Sequence, residues 1–176
     1  MYDSSGGTVS VGHTNLYNGY TYTDFYSTTN NALYYIKVTP HNSSDTGTYK
    51  IAFNRSSEPP VALPSNATML TVGTWEDGNI ATSSDEQWFK FTATTSSYQY
   101  IHASFNSSSP SLGMYVQVYN SSGGTVVSQT RLYSNSTYTY LSSPTNGSVY
   151  YIKITSYSGY TGTYQIAFNT SSTSPK

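Results

Sequence analysis

Tyr150-Tyr151-Ile152-Lys153-Ile154-Thr155, followed after a short polar gap by Gly162-Thr163-Tyr164-Gln165-Ile166-Ala167-Phe168-Asn169, has a twin earlier in the chain. The twin reads Tyr34-Tyr35-Ile36-Lys37-Val38-Thr39, then Gly47-Thr48-Tyr49-Lys50-Ile51-Ala52-Phe53-Asn54. Each segment alternates with period two, the pattern of a strand with one buried face. Tyr150, Ile152 and Ile154 fall on one side, Tyr151, Lys153 and Thr155 on the other. Tyr164, Ile166 and Phe168 oppose Gln165 and Ala167. Two such pairs at a nearly fixed offset mean that the chain is built from repeated modules.

The match extends outward. Met1-Tyr2-Asp3-Ser4-Ser5-Gly6-Gly7-Thr8-Val9 aligns with Val118-Tyr119-Asn120-Ser121-Ser122-Gly123-Gly124-Thr125-Val126, and Leu16-Tyr17 with Leu132-Tyr133. The offset drifts from 117 to 115, so small changes of loop length are the only gaps. The Ser-Ser-Gly-Gly run reads as a hairpin turn, because glycine supplies positive φ and serine bonds to local backbone.

Residues 69–117 have no counterpart in residues 1–57. They add further period-two runs: Phe89, Phe91 and Ala93 against Trp88, Lys90 and Thr92; Ile101, Ala103 and Phe105 against His102 and Ser104; Val116 and Val118 against Tyr115, Gln117 and Tyr119. No stretch carries a helical stripe. About eight short strands, apolar on one face and polar on the other, predict an all-β fold, a jelly-roll-like antiparallel β-sandwich. The expected organisation is the C-terminal half of a sandwich repeat over 1–57, a Pro-rich spacer over 58–68, a complete repeat over 69–170, and the start of another linker over 171–176. A half-copy alone exposes an apolar face and unpaired strand edges. It calls for completion by flanking repeats of a longer array or by an identical neighbouring subunit, in preference to some other packing within the chain.

Composition narrows the function classes. Only 9% of residues are charged and the net charge is −1, so no basic stripe exists to neutralise phosphates, and nucleic acid is not an expected partner. There is no cysteine, hence neither a disulfide nor a thiolate metal site. No apolar run is long enough to span a bilayer, and the first residues lack the charged and apolar regions of a secretory leader. The sharpest anomaly is 20 tyrosines.

The pattern Leu70, Trp75, Gly78-Asn79-Ile80, Gln87-Trp88-Phe89-Lys90-Phe91-Thr92, Tyr119-Asn120-Ser121-Ser122-Gly123, Tyr150-Tyr151-Ile152-Lys153-Ile154 and Gly162-Thr163-Tyr164-Gln165-Ile166 resembles the bacterial pre-peptidase C-terminal-like domains. It is most similar to the tandem forms in large surface proteins. The resemblance covers 69–170, with 1–57 as a half-copy, and implies a jelly-roll-like sandwich on a secreted bacterial protein. Some relatives bind calcium through clustered acids. Here Asp3, Asp24, Asp45, Glu58, Glu76, Asp77, Asp85 and Glu86 are scattered, so that role is not carried over.

Chemistry-bearing motifs are few. Of the three histidines, His13 aligns with Gln129 and His41 with Tyr157, so neither position needs an imidazole, and no nucleophile elbow accompanies them. No enzymatic activity and no cofactor are expected. Glu76-Asp77 and Asp85-Glu86 would need to converge to hold calcium, which takes six to eight oxygens; otherwise they are turn residues. Asn-x-Ser/Thr occurs at Asn42, Asn54, Asn66, Asn106, Asn120, Asn135, Asn146 and Asn169. These are candidate glycan acceptors, mostly in turns, against a background that composition alone would raise. Tyr20, Tyr22, Tyr115, Tyr119, Tyr138, Tyr140 and Tyr151 fall on expected outer faces. There they form a candidate aromatic contact surface for sugars or a neighbouring subunit, although tyrosine also suits a half-buried pleated sheet.

The expected function is therefore a non-enzymatic structural repeat of an extracellular or cell-surface bacterial protein or fibre, glycosylated and assembling end to end. The alternative is a carbohydrate-binding or accessory module of a secreted hydrolase.

Overall fold

The structure, a computed structural model, describes residues 1–9, 15–16, 23–24, 28–29, 31–53, 60–105, 113–133 and 138–176. The chain divides into two units, Met1–Phe53 and Asn54–Lys176. Among the described residues there is no helix, and so none long and apolar enough to cross a membrane.

In the second unit the period-two runs become strands. The first unit holds only β1 (Tyr2–Asp3) and β2 (Tyr34–Tyr35) among its described residues, and the runs at 36–39 and 47–53 form no strand there. In the second they are β3 (Thr68–Met69), β4 (Trp75–Ile80), β5 (Glu86–Thr92), β6 (Tyr98–Phe105), β7 (Gly113–Asn120), β8 (Thr125–Tyr133), β9 (Tyr138–Ser142), β10 (Val149–Tyr157) and β11 (Gly162–Asn169). They form a five-stranded sheet, β3-β5-β10-β7-β8, and a four-stranded sheet, β4-β11-β6-β9. The connectivity is one long hairpin folded at the Asn120 turn and rolled up. Antiparallel pairing joins β7 to β8, β6 to β9, β5 to β10 and β4 to β11 in nested succession. Pairing of β10 with β7 and of β11 with β6 closes the roll. This is jelly-roll connectivity on two sheets.

Rolling sends alternate residues of both sheets into one core. Phe89, Phe91, Val116, Val118, Ile152 and Ile154 from one sheet meet Ile80, Ile101, Ile166 and Phe168 from the other. The Phe91 ring lies 4.3 Å from Phe168 and 5.7 Å from Tyr150, stacked on both. Tyr164 meets Phe89 edge-on at 6.4 Å and donates its hydroxyl proton to Gln87 Oε1 at 2.7 Å. Burial pushes the Tyr164 phenol far above its ordinary pKa, because the phenolate would lose its hydration.

The turn at the fold point is held by Asn120. Its Oδ1 accepts from the backbone N–H of Ser122 and of Gly124, both at 2.9 Å, and Gly123 takes φ +82°. The first unit builds the same turn with an aspartate. Asp3 Oδ1 accepts from Ser5 N–H and Gly7 N–H, again at 2.9 Å, and Gly6 takes φ +85°. Two more details repeat. Tyr2 pairs with Tyr35 as Tyr119 does with Tyr151, and the Tyr34 hydroxyl accepts from Thr29 N–H as Tyr150 does from Thr145 N–H. The first unit thus reproduces the centre of the β7–β10 pairing.

Where the Pro-rich segment is described it bonds to the strands that follow: Val61 N–H donates to Gly123 O at 2.9 Å, Lys90 Nζ donates to Ser65 O at 3.2 Å, and Ala67 is buried. The tail 171–176 also turns back on its own module. Pro175 O accepts from Trp75 Nε1 at 3.2 Å, Thr173 O accepts from Asn169 Nδ2 at 2.9 Å, and Ser171 O lies 3.0 Å from His102 Nε2.

Candidate contact surface

Strands β6 and β9 pair Tyr98 with Ser142, Tyr100 with Tyr140, and His102 with Tyr138. Side chains two apart share a face, so this register gathers Tyr98, Tyr100, His102, Tyr138 and Tyr140 on the outside of the four-stranded sheet. Tyr100 lies 5.6 Å from Tyr138, 6.0 Å from Tyr140 and 6.4 Å from Tyr98; Tyr98 meets Tyr140 edge-on at 5.7 Å. Tyr98, Tyr138 and Tyr140 are exposed. The result is an uncharged aromatic face along an edge strand, with rings inclined to one another. Such rings offer apolar faces and hydroxyls to a sugar or a protein.

Two of the five, Tyr138 and Tyr140, were expected from sequence. Tyr98, Tyr100 and His102 were not, because only the pairing register shows that they lie opposite that pair. His102 is also 1% exposed, although alternation puts it on an outer face. It sits in the row Trp75–Ala167–His102–Tyr138 across β4, β11, β6 and β9. Ala167 is buried as well, and the tail that bonds Trp75 and His102 passes along this row.

The other expected tyrosines do not join this face. Tyr119 is a correction: it is on the outer side of the five-stranded sheet but only 2% exposed. Trp88 packs over it at 5.5 Å and Lys153 hydrogen-bonds to it. On that side Tyr119 is thus covered by Trp88. Tyr115 and Tyr151 are half-buried on the same side. Tyr115 meets Tyr157 edge-on at 5.0 Å, and the Arg131 guanidinium lies 3.7 Å over both the Tyr157 and Tyr133 rings. Tyr20 and Tyr22 lie outside the described residues.

The acids go to separate tasks. Asp85 accepts from the backbone N–H of Ala81 and Thr82 and from the Thr82 hydroxyl, which holds its carboxyl below the ordinary range. The Ser5 hydroxyl and the turn amides do the same for Asp3. Glu86 pairs with Lys153 at 3.1 Å. Partial burial opposes the Lys153 charge, but bonds to Glu86 and Tyr119 outweigh it and hold its pKa above the ordinary value. Asp77 accepts from Gln165 Nε2 at 2.9 Å. Among the described residues no three His, Asp or Glu side chains converge to hold a metal ion.

Of the candidate glycan acceptors, Asn42, Asn66 and Asn146 are exposed, and Asn120 and Asn169 are half-buried. Asn169 Nδ2 is already engaged with Thr173 O. Asn54, Asn106 and Asn135 lie outside the described residues.

A second surface belongs to the first unit. Ile36, Val38, Tyr49, Ile51 and Phe53 are all exposed. Their repeat equivalents Ile152, Ile154, Tyr164, Ile166 and Phe168 are all core. Ile51 is 59% exposed where Ile166 is 0%. Fully burying a large apolar side chain stabilises a fold by about 1.5–3 kcal/mol, so five positions leave roughly 7–15 kcal/mol unrealised.

No protein-family model and no curated protein sequence matches the chain. Among solved structures, the chain is similar to the pre-peptidase C-terminal domain of collagenase from Bacillus anthracis, at 14% identity and TM-score 0.47, covering 61% of this chain and 99% of that one. It is also similar to PliG of Salmonella Typhimurium, a periplasmic inhibitor of g-type lysozyme, at 14% identity and TM-score 0.36, covering 58% of this chain and 97% of that one. The first is a domain of the family whose pattern residues 69–170 resemble.

Proposed function

We propose that the chain is a non-enzymatic structural repeat of an extracellular or cell-surface bacterial protein or fibre, glycosylated and joined end to end with further modules. The observation that carries this reading is the set Ile36, Val38, Tyr49, Ile51 and Phe53. It has the identity of a sandwich core, yet lies exposed. A surface of that kind marks an interaction site when it is contiguous. The low charge and hydroxyl-rich composition suit a packed array of like modules, where repeated charges would repel. His102, the histidine placed in the sandwich, has its Nε2 against a backbone carbonyl rather than beside a nucleophile, which supports a non-catalytic role. The test is native mass spectrometry and sedimentation of the natural protein. Serial modules and glycan mass support the reading; an unmodified, monodisperse chain of this length removes it.

A second reading, a carbohydrate-binding module, is favoured by the aromatic face of Tyr98, Tyr100, Tyr138 and Tyr140. Titration with neutral polysaccharides, followed by tyrosine fluorescence, separates the two. Saturable binding lost in Tyr140→Ser supports the sugar module.

A further inference from the structure

We infer that Tyr98, Tyr100, Tyr138 and Tyr140 form an oxidative crosslinking site, where a peroxidase with hydrogen peroxide joins β9 covalently to β6 through dityrosine. The register sets the pairs. Tyr100 stands opposite Tyr140, while Tyr98 is opposite Ser142 and Tyr138 is opposite His102. Each ring therefore has its nearest tyrosine on the diagonal across the strands. Tyr98 lies 5.7 Å from Tyr140 and Tyr100 lies 5.6 Å from Tyr138, against 6.0 Å for Tyr100 and Tyr140. Tyr98, Tyr138 and Tyr140 are exposed, so an oxidant reaches them, and exposed side chains change rotamer within nanoseconds. The strand pairing meanwhile holds the partners together, which makes coupling within the sheet faster than coupling between chains.

The chemistry balances. Each phenol of a pair gives up one electron and its hydroxyl proton, leaving a phenoxyl radical whose spin is shared with the ring carbons beside the C–O carbon. Two such carbons join in one new C–C bond. Their two hydrogens then pass through water to the two oxygens and restore the phenols. In sum two ring C–H bonds are exchanged for one C–C bond, and hydrogen peroxide takes up two electrons and two protons and leaves as two waters. Tyr115 and Tyr157 are closer still, at 5.0 Å, but they are set against this reaction. Both are half-buried, the Arg131 guanidinium lies 3.7 Å over the Tyr157 ring, and Arg131 Nη1 donates to its hydroxyl at 2.8 Å. A fixed cation against the ring opposes loss of an electron. The place of the crosslink gives it a use. The chain has no cysteine, and β9 is the outermost strand of its sheet, next to β6. A dityrosine there closes a long loop of the unfolded chain, as a disulfide would.

The test treats the full chain, dilute, with a haem peroxidase and hydrogen peroxide. Expected are dityrosine fluorescence, a monomer lighter by two hydrogens per crosslink, and digest peptides that join 98–100 to 138–140, in a yield independent of protein concentration. Tyr138→Phe/Tyr140→Phe should remove those joined peptides, and so should Tyr98→Phe/Tyr100→Phe made on the other strand; Tyr157→Phe should leave them unchanged. Unfolding the chain in urea before oxidation should remove the preference for these pairs. Dityrosine that forms only between chains, joined peptides that map mainly elsewhere, the same preference in the unfolded chain, or tyrosines at 98–140 that stay uncoupled would each overturn the inference.

Discussion

Phe53 and Phe168 hold the same place in two copies of one sequence, and 69% of the first is exposed against 2% of the second. Phe168 is stacked 4.3 Å from Phe91 in the core of the second unit. Phe168→Ala should therefore destabilise the second unit by about 3–5 kcal/mol. Phe53→Ala should change the stability of the same chain by less than about 0.5 kcal/mol. Denaturant melts of both variants check this, and equal losses would contradict it.

The turn supports a substitution that the chain has made itself. Asp3 accepts the same pair of backbone N–H groups in the first unit as Asn120 accepts in the second. Asn120→Asp should keep the midpoint of unfolding nearly unchanged. Asn120→Ala should cost about 1–3 kcal/mol, because turn donors lose their acceptor. Comparing the two variants by thermal denaturation isolates the acceptor oxygen from the rest of the side chain.

Acid should loosen the second unit through Asp85. The Thr82 hydroxyl and the backbone N–H groups of Thr82 and Ala81 hold its folded pKa below the ordinary carboxylate range, so the unfolded chain binds the proton more readily. Its contribution is present above about pH 4 and is lost as pH falls through the folded value. A melting-temperature profile from pH 5 to pH 2 should decline, and Asp85→Asn should flatten part of that decline. An unchanged slope in the variant would show that other carboxylates dominate.

The tail makes a separate prediction. Ser171 O lies against His102 Nε2 and Pro175 O accepts from Trp75 Nε1. Ending the chain at residue 170 should leave the sandwich folded and raise the rate of His102 acylation by diethylpyrocarbonate. The fluorescence of Trp75 should shift with it, as its indole N–H turns to water. An unaltered rate would mean that the tail does not shield the imidazole.

Alternation alone placed Phe89, Phe91, Ile152 and Ile154 in the core, because a period of two has a single buried face once one side is apolar. The Ser-Ser-Gly-Gly turn was equally legible, since Gly6 and Gly123 take the positive φ that such a run supplies. Tyr119 and His102 were not. Each belongs by alternation to a polar face and is covered there by something remote in sequence: Trp88 and Lys153 for Tyr119, and the returning tail for His102. Local pattern says which side of a strand a residue occupies, but not what lies across that side.

The same division holds for the whole chain. By itself the sequence determined the all-β class, the strands of the second unit, the turn, and the sequence equivalence of residues 34–54 with 150–169, because these depend on side-chain period and short-range backbone chemistry; it did not foresee that 36–53 form no strand. Only the tertiary structure decided that β5, β10, β4 and β11 nest around one fold point, that Tyr98 and Tyr100 stand beside Tyr138 and Tyr140, and that Ile51 lies exposed where Ile166 is buried. Burial is a property of the partner across the interface, and one strand sequence keeps its alternation whether or not that partner is there.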